Sequence, residues 1–402
     1  MEEKYLVING GSSSLKFSLY SMPAEIIIAK GYIEKIGFKD SFWNLIYGDK
    51  KLTNSVYLKD HNDAVKVMMD ELFNNGIIMD ISEIKCIGHR VLHGGEIYGK
   101  SVLIDDEVLS DIKDLTNLGP LHHPGEIAGI VAMKQYLSDI PQVAVFDTAF
   151  HQTIPKENYM YAVPYEWYLN NKVRKYGFHG TSHKYITLKM SEILGRENVN
   201  LIICHVGSGA SVTCIRDGKS FDTSMGLTPL DGLVMGTRSG SIDPSIIQFM
   251  IDETGMNLTD VMNDLNRNSG LKGICGKNDF RDVIKLIHDG NSEAKLAYDV
   301  FMDSIIKYIA EYYFELEGNV DAIVFTAGVL ENNPVLRGDI VNKISSSLNI
   351  TLDTNINDNI GAGRDNKSGI ITTNKSRIPV YVIPTDEELM IVKDCYNIVR
   401  EI

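Results

Sequence analysis

Apolar and polar positions alternate in short blocks along this chain, with no single long period. "KYLVI" and "KFSLYS" are strand-like apolar runs on either side of the cluster "NGGSSS", and together they predict a β-hairpin. "DAVKVMMDELFNNG" carries apolar residues at helical spacing and closes on Gly76. "IKCIGHRVLHGG" predicts a buried strand leaving into a loop, and "QVAVFDT" a second one with a polar end. Halfway along, "LIICHVGSGASVTCIRDGKS" repeats the opening order of apolar strand, Gly/Ser turn, β-branched strand and polar turn. "DAIVFTAGVLENN" adds a third strand-to-glycine turn. The last stretch, "PTDEELMIVKDCYNIVREI", predicts a helix with Thr385 and Glu388 as its capping box. Alternating strands and helices predict an α/β protein, and the two similar hairpins predict two related halves that meet near residue 150.

Composition narrows this little, because 44% apolar and 23% charged residues over 402 positions are ordinary for a globular protein. The net charge of −14 argues against nucleic-acid or anionic-membrane partners, although a local field in a cleft can still attract an anion. The acidic start "MEEKYLVING" lacks the basic and long apolar regions of a signal peptide, and no apolar run reaches the ~20 residues that span a bilayer. Five cysteines without C-x-x-C spacing speak against zinc or a disulfide framework and predict a reduced, cytoplasmic protein.

The candidate chemistry is phosphate chemistry. "GGEIYGKS" (Gly94–Ser101) satisfies the P-loop expression, yet the extended "SVLI" follows Lys100 where a helix must begin, so the match is expected to be coincidental. "NGGSSSLK" has no such expression but suitable groups: glycines that let backbone N–H groups converge, three hydroxyls and Lys16. An ordinary Gly/Ser turn would look the same. Arg90 at the end of a buried strand and Arg238 in the small-residue loop "MGTRSGSIDP" offer guanidinium forks suited to phosphate, or equally to structural ion pairs. Eight of the ten histidines fall between His89 and His205, without the H-E-x-x-H spacing of a zinc site. Asp147 ends a buried strand, where carboxylates of α/β proteins face the binding crevice. Glu387, in the first turn of the last helix, suits the helix dipole whether or not it has another role.

In order along nearly the whole chain, "VINGGSSSLKFSLY", "GHRVLHGGE", "VFDTAFHQTIP", "VRKYGFHGTSHKY", "TSMGLTPLDGLVMGTRSGSIDP", "NDFRD" and "VIPTDEEL" resemble the acetate kinase family. The resemblance implies a duplicated ribonuclease H-like fold (the actin, Hsp70 and sugar kinase group) of two domains with the active site in the cleft between them. The domains would be 1–150, completed by the closing helix at about 386–402, and 151–385. It implies transfer of phosphate between ATP and acetate with Mg²⁺, manganese serving as a substitute, in a homodimer. By position, Asn9 and Glu387 would organise the metal, and Arg90, Arg238, Asp147, His179 and His122 would be catalytic. Leu92, Leu121, Phe178 and Pro229 would line the acyl pocket. Ser12, Ser14, Lys16, His205, Gly207, Ser208, Gly209, Asp279, Phe280, Arg281, Gly328, Val329 and Asn332 would hold phosphate and nucleotide. The chemistry is coherent: a carboxylate nucleophile is already ionised at neutral pH, so positioning and charge neutralisation suffice.

Several positions depart from the family's pattern. Leu92 replaces a usual valine and is expected to narrow the pocket in favour of acetate over propionate or butyrate. "PLHHPGE" stands for a "PLHNPAN"-like segment, and Ser208 for an asparagine. The loop "GLKGICGKNDFRD" is a residue short, and Leu330 replaces a glycine beside the adenosine, whose space it is expected to fill. A propionate or butyrate kinase, a pyrophosphate-dependent acetate kinase and a partner-dependent ATPase on the same fold are the competing expectations.

Overall fold

A computed structural model of the chain describes residues 2–361 and 368–401. They form two compact units, Met1–Phe150 with Asp386–Ile402, and His151–Thr385. The first unit is built on an eight-stranded sheet of β1 (Glu3–Gly11), β2 (Ser14–Met22), β3 (Ile26–Glu34), β4 (Phe42–Tyr47), β5 (Lys50–Ser55), β6 (Ile84–Val91), β7 (Val102–Leu103) and β8 (Gln142–Phe146), in the order β5-β4-β3-β2-β1-β6-β8-β7. The opening cluster is the tight turn of the β1–β2 hairpin, with Gly11 opposite Ser14. On its other side β1 runs parallel to β6, and β6 parallel to β8. Parallel strands are covered on both faces, which is why β8 is buried throughout.

The second unit carries β9 (Leu201–Val206), β10 (Ala210–Arg216), β11 (Lys219–Thr223), β12 (Ala322–Thr326), β13 (Gly369–Ile370) and β14 (Val380–Val382), in the order β11-β10-β9-β12-β14-β13. Strands β9, β10 and β11 are antiparallel neighbours, and β9, β12 and β14 run parallel. The series β3-β2-β1-β6-β8 and β11-β10-β9-β12-β14 therefore share one arrangement, and the internal echo of the sequence is a duplicated ribonuclease H-like core.

Three helices flank the first sheet near the hairpin: α1 (His61–Asn74), α2 (Asp106–Asp114) and α3 (His123–Tyr136). Asp60 caps α1 by accepting from the Asn62 and Asp63 N–H groups, and Asp105 caps α2 through Val108 N–H. α2 begins only after β7, so the P-loop-like Gly94–Ser101 has no helix N-terminus at Lys100. α3 lies against β1 so closely that a Cβ on Gly125 would stand 2.5 Å from Ser12 N, and one on Gly10 2.8 Å from the Gly125 carbonyl. Only glycines permit this seating of a helix on the hairpin turn. The closing helix, Glu387–Arg400, packs on β6 and β1. Its cap differs from the expected one: Asp386 accepts from Leu389 N–H at 2.9 Å, whereas the Thr385 hydroxyl lies 2.6 Å from Ser182 Oγ and its N–H donates to Glu331. The aspartate carboxylate one residue further on is the stronger acceptor and takes the cap. No helix among the described residues is long and apolar enough to cross a membrane.

Candidate active site

In the first unit the C-terminal ends of the parallel strands meet the N-termini of α3 and the closing helix. Asn9 follows the register pair Ile8–His89, which places it on the strand beside Arg90. Arg90 donates through Nε and Nη2 to Asp147 Oδ2, at 3.1 and 2.5 Å, and its Nη1 stands 4.0 Å from Glu126 Oε1. Burial works against the Arg90 charge, but Asp147, Glu126 and Glu387 outweigh it and raise the guanidinium's pKa. The same crowding acts oppositely on the acids. Burial first, then the Asp147 charge, pushes the Glu387 carboxyl up to about 7 against the pull of Arg90. Glu126 is also pushed up to about 7, chiefly by its burial. Its Oε2 accepts the Leu92 N–H at 3.1 Å, and its Oε1 has no hydrogen-bond partner. Three carboxyl groups around one arginine form a site short of positive charge.

Around this cluster, Ser12 and Lys16 are exposed in the hairpin and Ser14 is half-buried. His122 is the half-buried N-cap residue of α3, whose first turn carries Glu126. Leu92 is buried, whereas Leu121, expected in the acyl pocket, is 61% exposed.

In the second unit the β9–β10 turn is the centre. His179 precedes the helix Gly180–Leu194 in a left-handed conformation (φ +57°). Its ring stacks on His205 at 4.2 Å between centroids and 21° between planes. A Cβ on Gly209 would lie 3.2 Å from His179 Nε2 and 3.6 Å from Arg238 Nη1, so both side chains converge on this turn. Arg238 touches the Pro229 carbonyl at 3.3 Å and Met235 Sδ at 3.7 Å, and no carboxylate pairs with it among the described residues. Its burial without a counter-ion lowers its pKa. A half-buried guanidinium in that state is suited to an incoming anion. His205 meets Ser182 Oγ through Nδ1 at 2.8 Å and forms a platform stacked against His179. Phe178 is buried beside it, its carbonyl 2.9 Å from His151 Nε2.

Beside the turn lies a cavity of about 440 Å³, lined by Gly207, Ser208, Asp279, Phe280, Arg281, Gly328, Val329 and Asn332 among others. Asp279 caps the helix Phe280–His288 and holds Arg281 in an exposed ion pair at 2.6 Å. Gly209 faces His179 and does not line the cavity. Leu330 does not fill it either: the side chain is fully buried, on the opposite side of the helix Ala327–Asn332 from Gly328, Val329 and Asn332. Elsewhere in this unit Asp222, Glu311 and Glu315 bring carboxylate oxygens within 4.8 Å of one another, but Lys175 Nζ, 2.5 Å from Asp222, already supplies a cation.

Glu126, Ser182 and Ser211 do not stand out as site residues in the sequence, and His183 does so only as a member of the histidine cluster, in "YGFHGTSHKY". A glutamate in the first turn of a helix looks like a solvated dipole partner, and its unusual position in "PLHHPGE" is the only signal.

The family model described as the Acetokinase family matches residues 4–393, nearly the whole chain. The chain belongs to the acetokinase family. It is thus a phosphotransferase with a carboxylate acceptor. The acetate kinase of Bacillus cytotoxicus is 46% identical over 394 residues, 97% of this chain and 98% of that one. The acetate kinase of Bacillus subtilis is 45% identical over 400 residues, 99% and 100% of the two chains. Among solved structures, a propionate kinase from Francisella tularensis has 42% identity and a TM-score of 0.92, covering 98% of this chain and 99% of its own. The Porphyromonas gingivalis acetate kinase has 38% identity and a TM-score of 0.93, covering 99% and 100%.

Proposed function

We propose that the protein transfers a phosphoryl group reversibly between ATP and acetate by direct in-line displacement, forming acetyl phosphate and ADP. The observation that carries this reading is the convergence of His179 Nε2 and the counter-ion-free Arg238 on the Gly209 turn. These donors meet the charge that spreads over the oxygens of a phosphoryl group in transit. Arg90 is held edge-on by Asp147 through Nε and Nη2, and its Nη1 faces Glu126 at 4.0 Å, beyond hydrogen-bond distance, which leaves it able to donate to a substrate carboxylate. Acetate is ionised at neutral pH and attacks without a general base, so catalysis rests on alignment and neutralisation. The cavity supports a nucleotide donor over pyrophosphate, since its volume is in the ~300–1,000 Å³ range of small-molecule sites. Ser12, Ser14 and Lys16 would meet the phosphates from the first hairpin, and His122 the reacting groups.

Mg²⁺ fits the residues present. Asp147 and Glu387 repel one another, and their carboxylate oxygens with the Asn9 amide would supply the hard oxygen donors that magnesium prefers. We assign Asn9 and Glu387 to hold it, with Asp147 in support. When bound it neutralises phosphate charge, and manganese would substitute.

Leu92 supports acetate as the acid, while likeness to the Francisella propionate kinase favours propionate as the second reading. One methylene is worth ~1–3 kcal/mol in such a pocket. Measured kcat/KM for acetate, propionate and butyrate, with ATP, GTP and pyrophosphate as donors, tests this. Acetate with ATP should lead, and a higher value for either longer acid or for pyrophosphate would refute the assignment. The helix Ser245–Thr254 has no buried residue and exposes Ile246 and Phe249, which supports a homodimer. Five free cysteines, four of them buried, support a reducing cytoplasmic setting.

A further inference from the structure

His179 is the outer end of a buried hydrogen-bonded chain. Its Nδ1 lies 2.9 Å from Ser211 Oγ, and the same hydroxyl lies 2.8 Å from His183 Nε2. We propose that Ser211 and His183 are positioning residues that hold His179 in the tautomer with its proton on Nε2, the nitrogen beside Gly209 and Arg238. The proposal rests on the reading of His179 as a donor to the transferring phosphoryl group.

The polarity of the chain follows from proton counting. Ser211 has one hydroxyl proton and two lone pairs, and it is fully buried with no side-chain partner among the described residues other than these two imidazoles. Were both rings to donate to its oxygen, the buried hydroxyl proton would be stranded, so one ring accepts it and the other donates. If His183 accepted, a neutral His183 would carry its proton on Nδ1. That nitrogen is fully buried and has no hydrogen-bond partner. A stranded N–H in such a place is rarer than a bare acceptor nitrogen. A doubly protonated His183 is excluded, since burial, with His151 and His205 close by, drives its pKa well below the usual value. His183 therefore donates from Nε2 to Ser211, and Ser211 donates to His179 Nδ1. The only ring position left for the His179 proton is Nε2. The stacked His205, kept neutral by burial that lowers its pKa to about 4, fixes the plane of the ring without repelling it. His205 is itself tied through Ser182 to Thr385.

Without the relay the Nδ1 side no longer holds the His179 proton on Nε2, and the tautomer with bare Nε2 turns a lone pair toward the phosphoryl oxygens. The effect would fall on the chemical step rather than on binding. Nitrogen-15 NMR of the histidine-labelled, full-length protein reads the tautomer directly. Wild type should show His179 and His183 both as Nε2–H, Ser211→Ala should show a mixture at His179, and Ser211→Thr should restore the single form. Steady-state kinetics should show kcat about tenfold or more lower in Ser211→Ala. KM for acetate and ATP should stay within about twofold, and Ser211→Thr should recover most of the rate. An Nδ1–H tautomer at His179 in the wild type would overturn the proposal whatever the variants do, as would an unchanged Nε2–H form with unchanged kcat in Ser211→Ala. His179→Ala separates the two claims: full activity there would refute the functional reading, whereas the wild-type tautomer still decides the relay.

Discussion

Glu126 should make the stability of the first unit depend on pH in a way that one substitution removes. The side chain is 2% exposed, Oε1 has no hydrogen-bond partner, and the carboxyl is pushed up to about 7 from an ordinary 4.5. A carboxyl raised in the folded state binds its proton more tightly there than in the unfolded chain. Its contribution is therefore fully present below about pH 4.5 and is lost as pH rises through about 7. Between pH 6 and 8 the folded protein gives up most of this proton, which costs about 1 kcal/mol. Glu126→Gln keeps an oxygen for the Leu92 N–H and removes the titration. For a unit of this size 1 kcal/mol corresponds to about 2–4 °C in melting temperature. Melting curves of both proteins at pH 6, 7 and 8 should show the wild type losing about that much more than the variant. Glu387 titrates in the same range in both proteins and cancels in the difference. Parallel pH profiles would refute the reasoning and place the Glu126 carboxyl near its ordinary value.

Three further substitutions test separate parts of the site. Arg238→Ala should lower kcat by about 10²–10³ while circular dichroism and melting temperature hardly move, because its lost contacts are one carbonyl and one thioether. Leu92→Val should raise kcat/KM for propionate relative to acetate by roughly tenfold, read in a series of acids. Leu330→Ala should destabilise the second unit by ~2–5 kcal/mol in a denaturation assay and leave KM for ATP unchanged, because the side chain is core rather than cavity wall.

The fold is largely legible because each half opens with a Gly/Ser turn between apolar strands, a local signal that survives without any tertiary information. The pairing of β1 with β6 and of β9 with β12 then follows from buried, uninterrupted apolar runs. The illegible part depends on geometry between distant segments. Ser211 is unremarkable in sequence and His183 is one of several clustered histidines, and the pair acquires meaning only when the β9–β10 hairpin packs against the helix Gly180–Leu194. Leu330 misleads because adjacency to Gly328 and Val329 suggests a shared surface, whereas a helix turns residue 330 toward the core with Ala327. Glu126 is inconspicuous because a charge in a helix's first turn has an innocent explanation in the dipole. The cap falls on Asp386 rather than Thr385 because the carboxylate is the stronger acceptor and the Thr385 hydroxyl is engaged by Ser182, a partner about 200 residues away in sequence.

The most direct test of the central claim is the coupling between nucleotide turnover and acyl phosphate formation. Purified protein would be incubated with ATP, Mg²⁺ and acetate, acetyl phosphate trapped as its hydroxamate, and ADP measured in the same samples. A carboxylate kinase should form one hydroxamate for each ADP and almost no ADP without acetate. ADP release that is independent of acetate, with no hydroxamate formed, would contradict this reading and identify an ATPase instead.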